Sequence, residues 1–137
     1  MTDRDDLDKL RRVPLFSALD DAALARVADL ATEFDAAHGH VLVERGRPGA
    51  GLFVIEEGSV VVELRDREVT LGAGEFFGEI ALLDDTASHV ARVKAASPVR
   101  GVALARDDFM ELLRGQPAIA ITMLRTLAHR LGDSVRH

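Results

Sequence analysis

The chain has 137 residues, is 47% hydrophobic and contains no cysteine, so it is expected to bury one core of its own and to hold neither disulfides nor thiolate metal sites. Its 17 lysines and arginines face 23 aspartates and glutamates, a net charge of −6 with no basic cluster, which argues against direct binding to a nucleic-acid backbone. The charged start, Met1 to Asp6, lacks the apolar core of a secretion signal, and no run is long enough to span a bilayer; a soluble, cytoplasmic protein is expected.

Residues 5 to 31 read as helical, broken at Pro14 and restarted after Ser17 and Asp20, with Leu19, Leu24, Val27 and Leu30 at helical spacing. From Thr32 to Ala105 the pattern changes to short apolar or alternating runs: His40 to Val43, Leu52 to Ile55, Ser59 to Leu64 and Val99 to Leu104. Turn residues, among them Gly39, Gly46, Pro48-Gly49, Gly58, Asp66 and Gly74, separate them. Short strands spaced this way point to a closed sandwich or barrel, most economically a jelly roll.

After Arg106 the pattern is helical again. Gly115 is the expected C-cap of a helix running from Asp107 to Arg114, and Pro117 suits the first turn of the next. That last helix carries Ile119, Met123, Leu124, Leu127 and Leu131, taken as one apolar stripe that packs on the chain's own barrel or pairs with a second copy. The expected organisation is a single domain: 1–31 helical lead-in, 32–105 β jelly roll, 106–137 C-terminal helices.

The most informative stretch is Gly78-Glu79-Ile80-Ala81-Leu82-Leu83, because a glycine and a carboxylate at the start of a helical turn leave backbone N–H groups free to hold an anion. The run Ala91-Arg92-Val93-Lys94-Ala95 follows. Together with Gly46 and Gly58 these residues resemble the cyclic-nucleotide-binding domain family, as in catabolite activator proteins, kinase A regulatory subunits and cyclic-nucleotide-gated channels. The resemblance covers nearly the whole chain. It implies a mainly β fold, a jelly roll with flanking helices, and a non-catalytic sensor or regulatory module with cAMP or cGMP as the ligand and no cofactor.

Under that resemblance Gly78 admits the cyclic phosphate, the amides of Ile80, Ala81 and Leu82 donate to it, and Glu79 accepts from the ribose 2′-hydroxyl. Read alone, Glu79 is also an ordinary acidic residue of a first helical turn. The family's phosphate-gripping arginine and the small residue after it are replaced here by His89 and Val90. Each charged hydrogen bond lost with that arginine is worth roughly 1.5–3 kcal/mol, and about 1.4 kcal/mol is tenfold in affinity. Two substitutes are on hand. A protonated His89 can donate to the phosphate, so that binding strengthens as pH falls through the ordinary histidine range near ~6.5, and Arg92, sharing a strand face with Val90, can approach the cavity. The bland alternatives are a solvated loop histidine and a surface strand arginine. Ser134 falls where relatives carry a base-contacting hydroxyl. Phe76 and Phe77 are read as core, and the six phenylalanines offer no evident platform for the base.

Two other functions compete. A degenerate domain of the same fold can serve protein–protein interaction, through a protein partner or a second copy at the C-terminal helix. His38, His40, Glu44 and Gly51 also reproduce the H-x-H-x3-E-x6-G spacing of metal-binding cupins, since histidines two apart in a strand share a face. No second metal motif accompanies it and no catalytic residues are assigned; with Gly132 to His137 after the stripe, direct DNA binding by this chain as given is not expected, and a longer parent protein is compatible with that expectation.

Overall fold

The structure, a computed structural model, describes residues 4–44, 46, 51–79 and 91–136, with side chains from 6 to 132 within those ranges. The candidate residues Ile80, Ala81, Leu82, His89 and Val90 and the Pro48-Gly49 turn lie outside the described residues, as does the side chain of Ser134.

Helix α1 (Arg4–Arg11) is followed by a 3₁₀ turn at Pro14–Phe16, where proline occupies a first helical position and its missing N–H costs nothing. Helix α2 (Asp21–Leu30) is capped by Asp20, whose side chain accepts from the Ala23 amide at 2.8 Å. Among the described residues eight strands come next: β1 (Thr32–Ala36), β2 (Val41–Val43), β3 (Gly51–Glu57), β4 (Val60–Glu63), β5 (Glu68–Leu71), β6 (Phe76–Phe77), β7 (Arg92–Ala95) and β8 (Val99–Ala105). They form two antiparallel four-stranded sheets, ordered β1-β8-β3-β6 and β2-β7-β4-β5. Helices α3 (Arg106–Gly115) and α4 (Pro117–Arg136) close the described chain.

Side-chain alternation divides the core in two. In β3, Leu52 and Val54 join Phe16, Leu24, Phe109 and Ile119 in a cluster beneath the helices, while Phe53 and Ile55 face the roll interior with Val43, Val60, Phe77 and Val93. Both clusters share the central sheet, so helices α1 to α4 rest on the back of the wall whose front lines the roll.

Two expectations are corrected here. Gly115 is the last residue of α3 and has no positive φ; the cap is Gln116, whose N–H reaches the Leu112 carbonyl at 2.8 Å. The apolar stripe of α4 is two faces. Ile119 and Met123 are buried and Leu127 packs against them, but Leu124 and Leu131 are each 66% exposed and Ile121 is 49% exposed. Neighbouring positions such as Met123 and Leu124 stand about 100° apart around a helix with 3.6 residues per turn, so one stripe cannot hold both.

Candidate functional site

Strand β6 is only two residues long, and its alternation sends Phe76 toward the helices and Phe77 into the roll. The chain then turns at Gly78 with φ +96°, so close to β3 that a Cβ there would lie 2.7 Å from the Gly51 carbonyl oxygen. This turn delivers Glu79 to a site where it is 5% exposed, the sole buried charged residue among those described.

The partner of Glu79 comes from the other end of the chain. Arg130 of α4 donates from Nη1 to Glu79 Oε1 at 3.0 Å and from Nη2 to the Phe76 carbonyl at 2.8 Å. Its guanidinium carbon lies 4.6 Å from the centre of the Phe76 ring, in cation–π range. Burial pushes the Glu79 carboxyl above the ordinary carboxylate range, against the attraction of Arg130 and a bond from its own backbone. A carboxylate has about four acceptor positions, so the bond to Arg130 leaves capacity for a hydroxyl.

The roll interior beside Gly78 is aromatic. Phe53 stacks on Phe77 with ring centres 4.9 Å apart and planes 4° from parallel, and Phe34 meets Phe53 edge-on at 5.5 Å. Phe53 also comes within 3.6 Å of the position a Cβ on Gly78 would take. These three rings sit on strands β1, β3 and β6. The expectation that the phenylalanines form no platform missed this wall, because their adjacency depends on strand pairing (Phe53 opposite Phe77) that spacing along the chain does not reveal.

Arg92 does not join Glu79. In β7, Val93 and Ala95 are buried while Arg92 and Lys94 lie on the opposite face of the strand, where Arg92 Nε donates to Glu63 Oε1 and Lys94 lies 3.7 Å from the same carboxylate. The bond from Arg92 holds the Glu63 carboxyl below its usual range, and Glu63 in turn raises Arg92. The reason is strand parity: a residue next to the inward-facing Val93 must face outward. Ser134 belongs to the last turns of α4, four residues beyond Arg130.

The cupin-like spacing loses its geometric premise. His38 and His40 are exposed and flank Gly39 in the turn before β2 begins at Val41, so they do not share a strand face. Among the described residues no three His, Asp or Glu side chains converge as a metal site, and no helix is long and apolar enough to cross a membrane.

The sequence reading missed Arg130 as a site residue. Its signal was an arginine three residues from Leu127 and seven from Met123, on the flank of the buried face of α4.

The family model described as "Cyclic nucleotide-binding domain" matches residues 34–116. A cyclic nucleotide-gated potassium channel of Rhizobium etli is 38% identical over 120 residues, which is 88% of this chain and 34% of the channel. The N-terminal domain of a transcriptional regulator from Streptomyces coelicolor superposes with a TM-score of 0.67 at 34% identity, covering 93% of this chain and 94% of that one. The regulatory subunit of a cAMP-independent protein kinase A from Trypanosoma brucei gives a TM-score of 0.77 at 28% identity over 88% of this chain and 45% of its own. A triple variant of that subunit, in which a threonine becomes arginine and the following valine becomes alanine, is described as bound to cAMP in the A site. The chain spans about a third of the length of the curated relatives it matches first.

Proposed function

The chain belongs to the cyclic nucleotide-binding domain family, and from that premise we propose that it is a non-catalytic sensor module in which the Glu79–Arg130 pair reports occupancy of the pocket to helix α4. It is a cyclic nucleotide-binding domain homologous with kinase A regulatory subunits and cyclic nucleotide-gated channels. The buried Glu79 bonded to Arg130 is the observation that carries the finer reading. A ribose hydroxyl on Glu79 would change what Arg130 sees. That would bias the position of α4 by the difference in ligand affinity between its two arrangements, and by no more than that.

In this reading Gly78 and the amides of Ile80, Ala81 and Leu82 take the phosphate, and His89 and Val90 stand where an arginine and a small residue would grip it. Ser134 is left as a contact for the base. Binding of cAMP or cGMP is therefore proposed to be weak. The kinase subunit described as cAMP-independent, whose triple variant bound to cAMP has gained an arginine followed by alanine together with a glutamate-to-alanine change, is in line with the same logic.

Calorimetric titration of the nucleotide-stripped chain with cAMP and cGMP, at pH values either side of ~6.5, tests this. Saturable binding that tightens at the lower pH supports a phosphate held by His89; silence at millimolar ligand removes cyclic nucleotides as the ligand. The His89→Arg, Val90→Ala double variant is expected to bind at least about tenfold more tightly, one charged hydrogen bond's worth. Unchanged affinity in that variant would refute the assignment of the loop.

The exposed face of α4 favours a second copy as protein partner. Ile121, Leu124, Ala128 and Leu131 recur at steps of three, four and three, the seam spacing of two helices packed side by side. Sedimentation should show a dimer that Leu124→Asp with Leu131→Asp converts to a folded monomer. A monomeric parent chain at tens of micromolar would exclude the pairing.

A further inference from the structure

The charge balance around Glu79 bears on the class of ligand that the pocket takes. The carboxylate of Glu79, 5% exposed, is paired with the Arg130 guanidinium at 3.0 Å, so the two charges cancel. Arg130 also donates to the Phe76 carbonyl and lies over the Phe76 ring, which leaves both of its terminal nitrogens engaged.

The other cations near the roll stand away from its interior. Arg92 and Lys94 lie on the outer face of β7 and share Glu63. Lys9, Arg12 and Arg100 line cavities between α1 and the sheet behind the roll. The interior is built from apolar side chains, among them Val43, Ile55, Val60, Phe77 and Val93, with Phe53 beside the Gly78 turn. Among the described residues, then, no cation faces the roll interior to meet an entering anion.

This balance separates two ligand classes. A hydroxyl needs only an acceptor, and Glu79 keeps acceptor positions after taking the bond from Arg130. A singly charged phosphate brings a net negative charge into an apolar space, beside a carboxylate whose own counter-charge is already used. Burying a charge without a partner is far more costly than burying a hydrogen-bonded hydroxyl. Backbone amides at the start of a helical turn lower that cost, but they supply only a partial positive charge. His89, which stands where an arginine would, supplies a full one only when protonated, and an ordinary histidine is mostly neutral at neutral pH.

On the reading that Glu79 accepts from a ligand hydroxyl, we infer that the pocket takes an uncharged, hydroxyl-bearing ligand of nucleoside size in preference to a cyclic nucleotide. Its hydroxyl pair bonds to Glu79, its flat body lies against the apolar interior, and it leaves the Glu79–Arg130 pair the only charges in the site. The preference rests on that reading of Glu79 and goes beyond it in naming the ligand's charge.

The test is calorimetric titration of the nucleotide-stripped full chain at neutral pH with adenosine, 2′-deoxyadenosine and cAMP. Adenosine should bind at least about tenfold more tightly than cAMP, and at least about tenfold more tightly than 2′-deoxyadenosine, which lacks the hydroxyl for Glu79. Two variants move the charge. His89→Arg adds a cation, and Glu79→Gln leaves Arg130 without its counter-charge; each should raise the affinity for cAMP relative to adenosine at least about tenfold. Binding of cAMP as tightly as adenosine in the parent chain, or a ratio unmoved in both variants, would overturn the inference and leave the pocket at Glu79 standing. Equal binding of 2′-deoxyadenosine and adenosine would overturn the role of Glu79 as hydroxyl acceptor and the inference with it, as would silence with both adenosine and cAMP.

Discussion

Glu79→Ala is expected to weaken cyclic nucleotide binding by on the order of ten- to a hundredfold and to destabilise the fold as well. In the proposed pocket the binding loss is that of one charged hydrogen bond to a ribose hydroxyl, roughly 1.5–3 kcal/mol. The stability loss has a separate origin. Glu79 is 5% exposed and Arg130 donates to it at 3.0 Å, so truncation leaves the guanidinium with the Phe76 carbonyl and ring alone. Removing one member of a buried pair costs up to about 3–5 kcal/mol, and the partial exposure of Arg130 puts this pair below that range. The double-mutant cycle of Glu79→Ala with Arg130→Ala, read by urea denaturation, should give a coupling of about 1–3 kcal/mol. A coupling near zero would mean that α4 is held by packing alone, and the proposed link from pocket to helix would fail.

The pH profile supplies an independent check on the same residue. Burial raises the Glu79 carboxyl, so the folded chain holds that proton more firmly than the unfolded one. Its contribution to stability is full below the unfolded value and is lost as pH rises through the folded value. Parent protein should therefore gain stability relative to Glu79→Gln as pH is lowered from neutral into the carboxylate range. Glu63, held low by Arg92, works in the opposite sense, its contribution being lost as pH falls through its folded value.

How much of this was legible in the sequence depends on the range of the interactions involved. The Pro14 break, the Asp20 cap and the runs that became β3, β4 and β8 are local signals, and the chain obeys them. Strand β1 and the short strands β5, β6 and β7 carry few apolar residues or few residues at all, and they exist by pairing with neighbours. Within the site, Gly78 and Glu79 were recognisable because one short motif holds both. Arg130 was not, since it meets Glu79 across 51 positions and only the docking of α4 brings them together. Arg92, for which the sequence left a cavity-facing and a surface reading open, lies on the outer face because it is next to the inward-facing Val93, and there it stands opposite Glu63 of β4. The aromatic wall of Phe34, Phe53 and Phe77 likewise comes from three strands that no periodicity connects.

Gly78→Ala is the substitution that should damage both fold and site through the backbone. Two costs are combined at this position. A residue with a side chain held at φ +96° carries strain of about 1–3 kcal/mol, and its Cβ would stand 2.7 Å from the Gly51 carbonyl oxygen, a backbone atom of a paired strand that cannot swing aside. Gly39 separates the two terms, because its φ of +89° is nearly the same but a Cβ there meets nothing within 4 Å. Gly39→Ala should therefore cost only the conformational share, about 1 kcal/mol, while Gly78→Ala should cost two to three times as much by denaturant midpoint. The extra loss has a functional counterpart. Relief of the Gly51 contact requires the chain to move away from β3 at the point where it aims Glu79 at Arg130, so cyclic nucleotide affinity should fall together with stability in Gly78→Ala and stay unchanged in Gly39→Ala. Equal destabilisation by the two substitutions would show that the turn relaxes without disturbing β3, and that the close approach of Gly78 to Gly51 does not position the carboxylate.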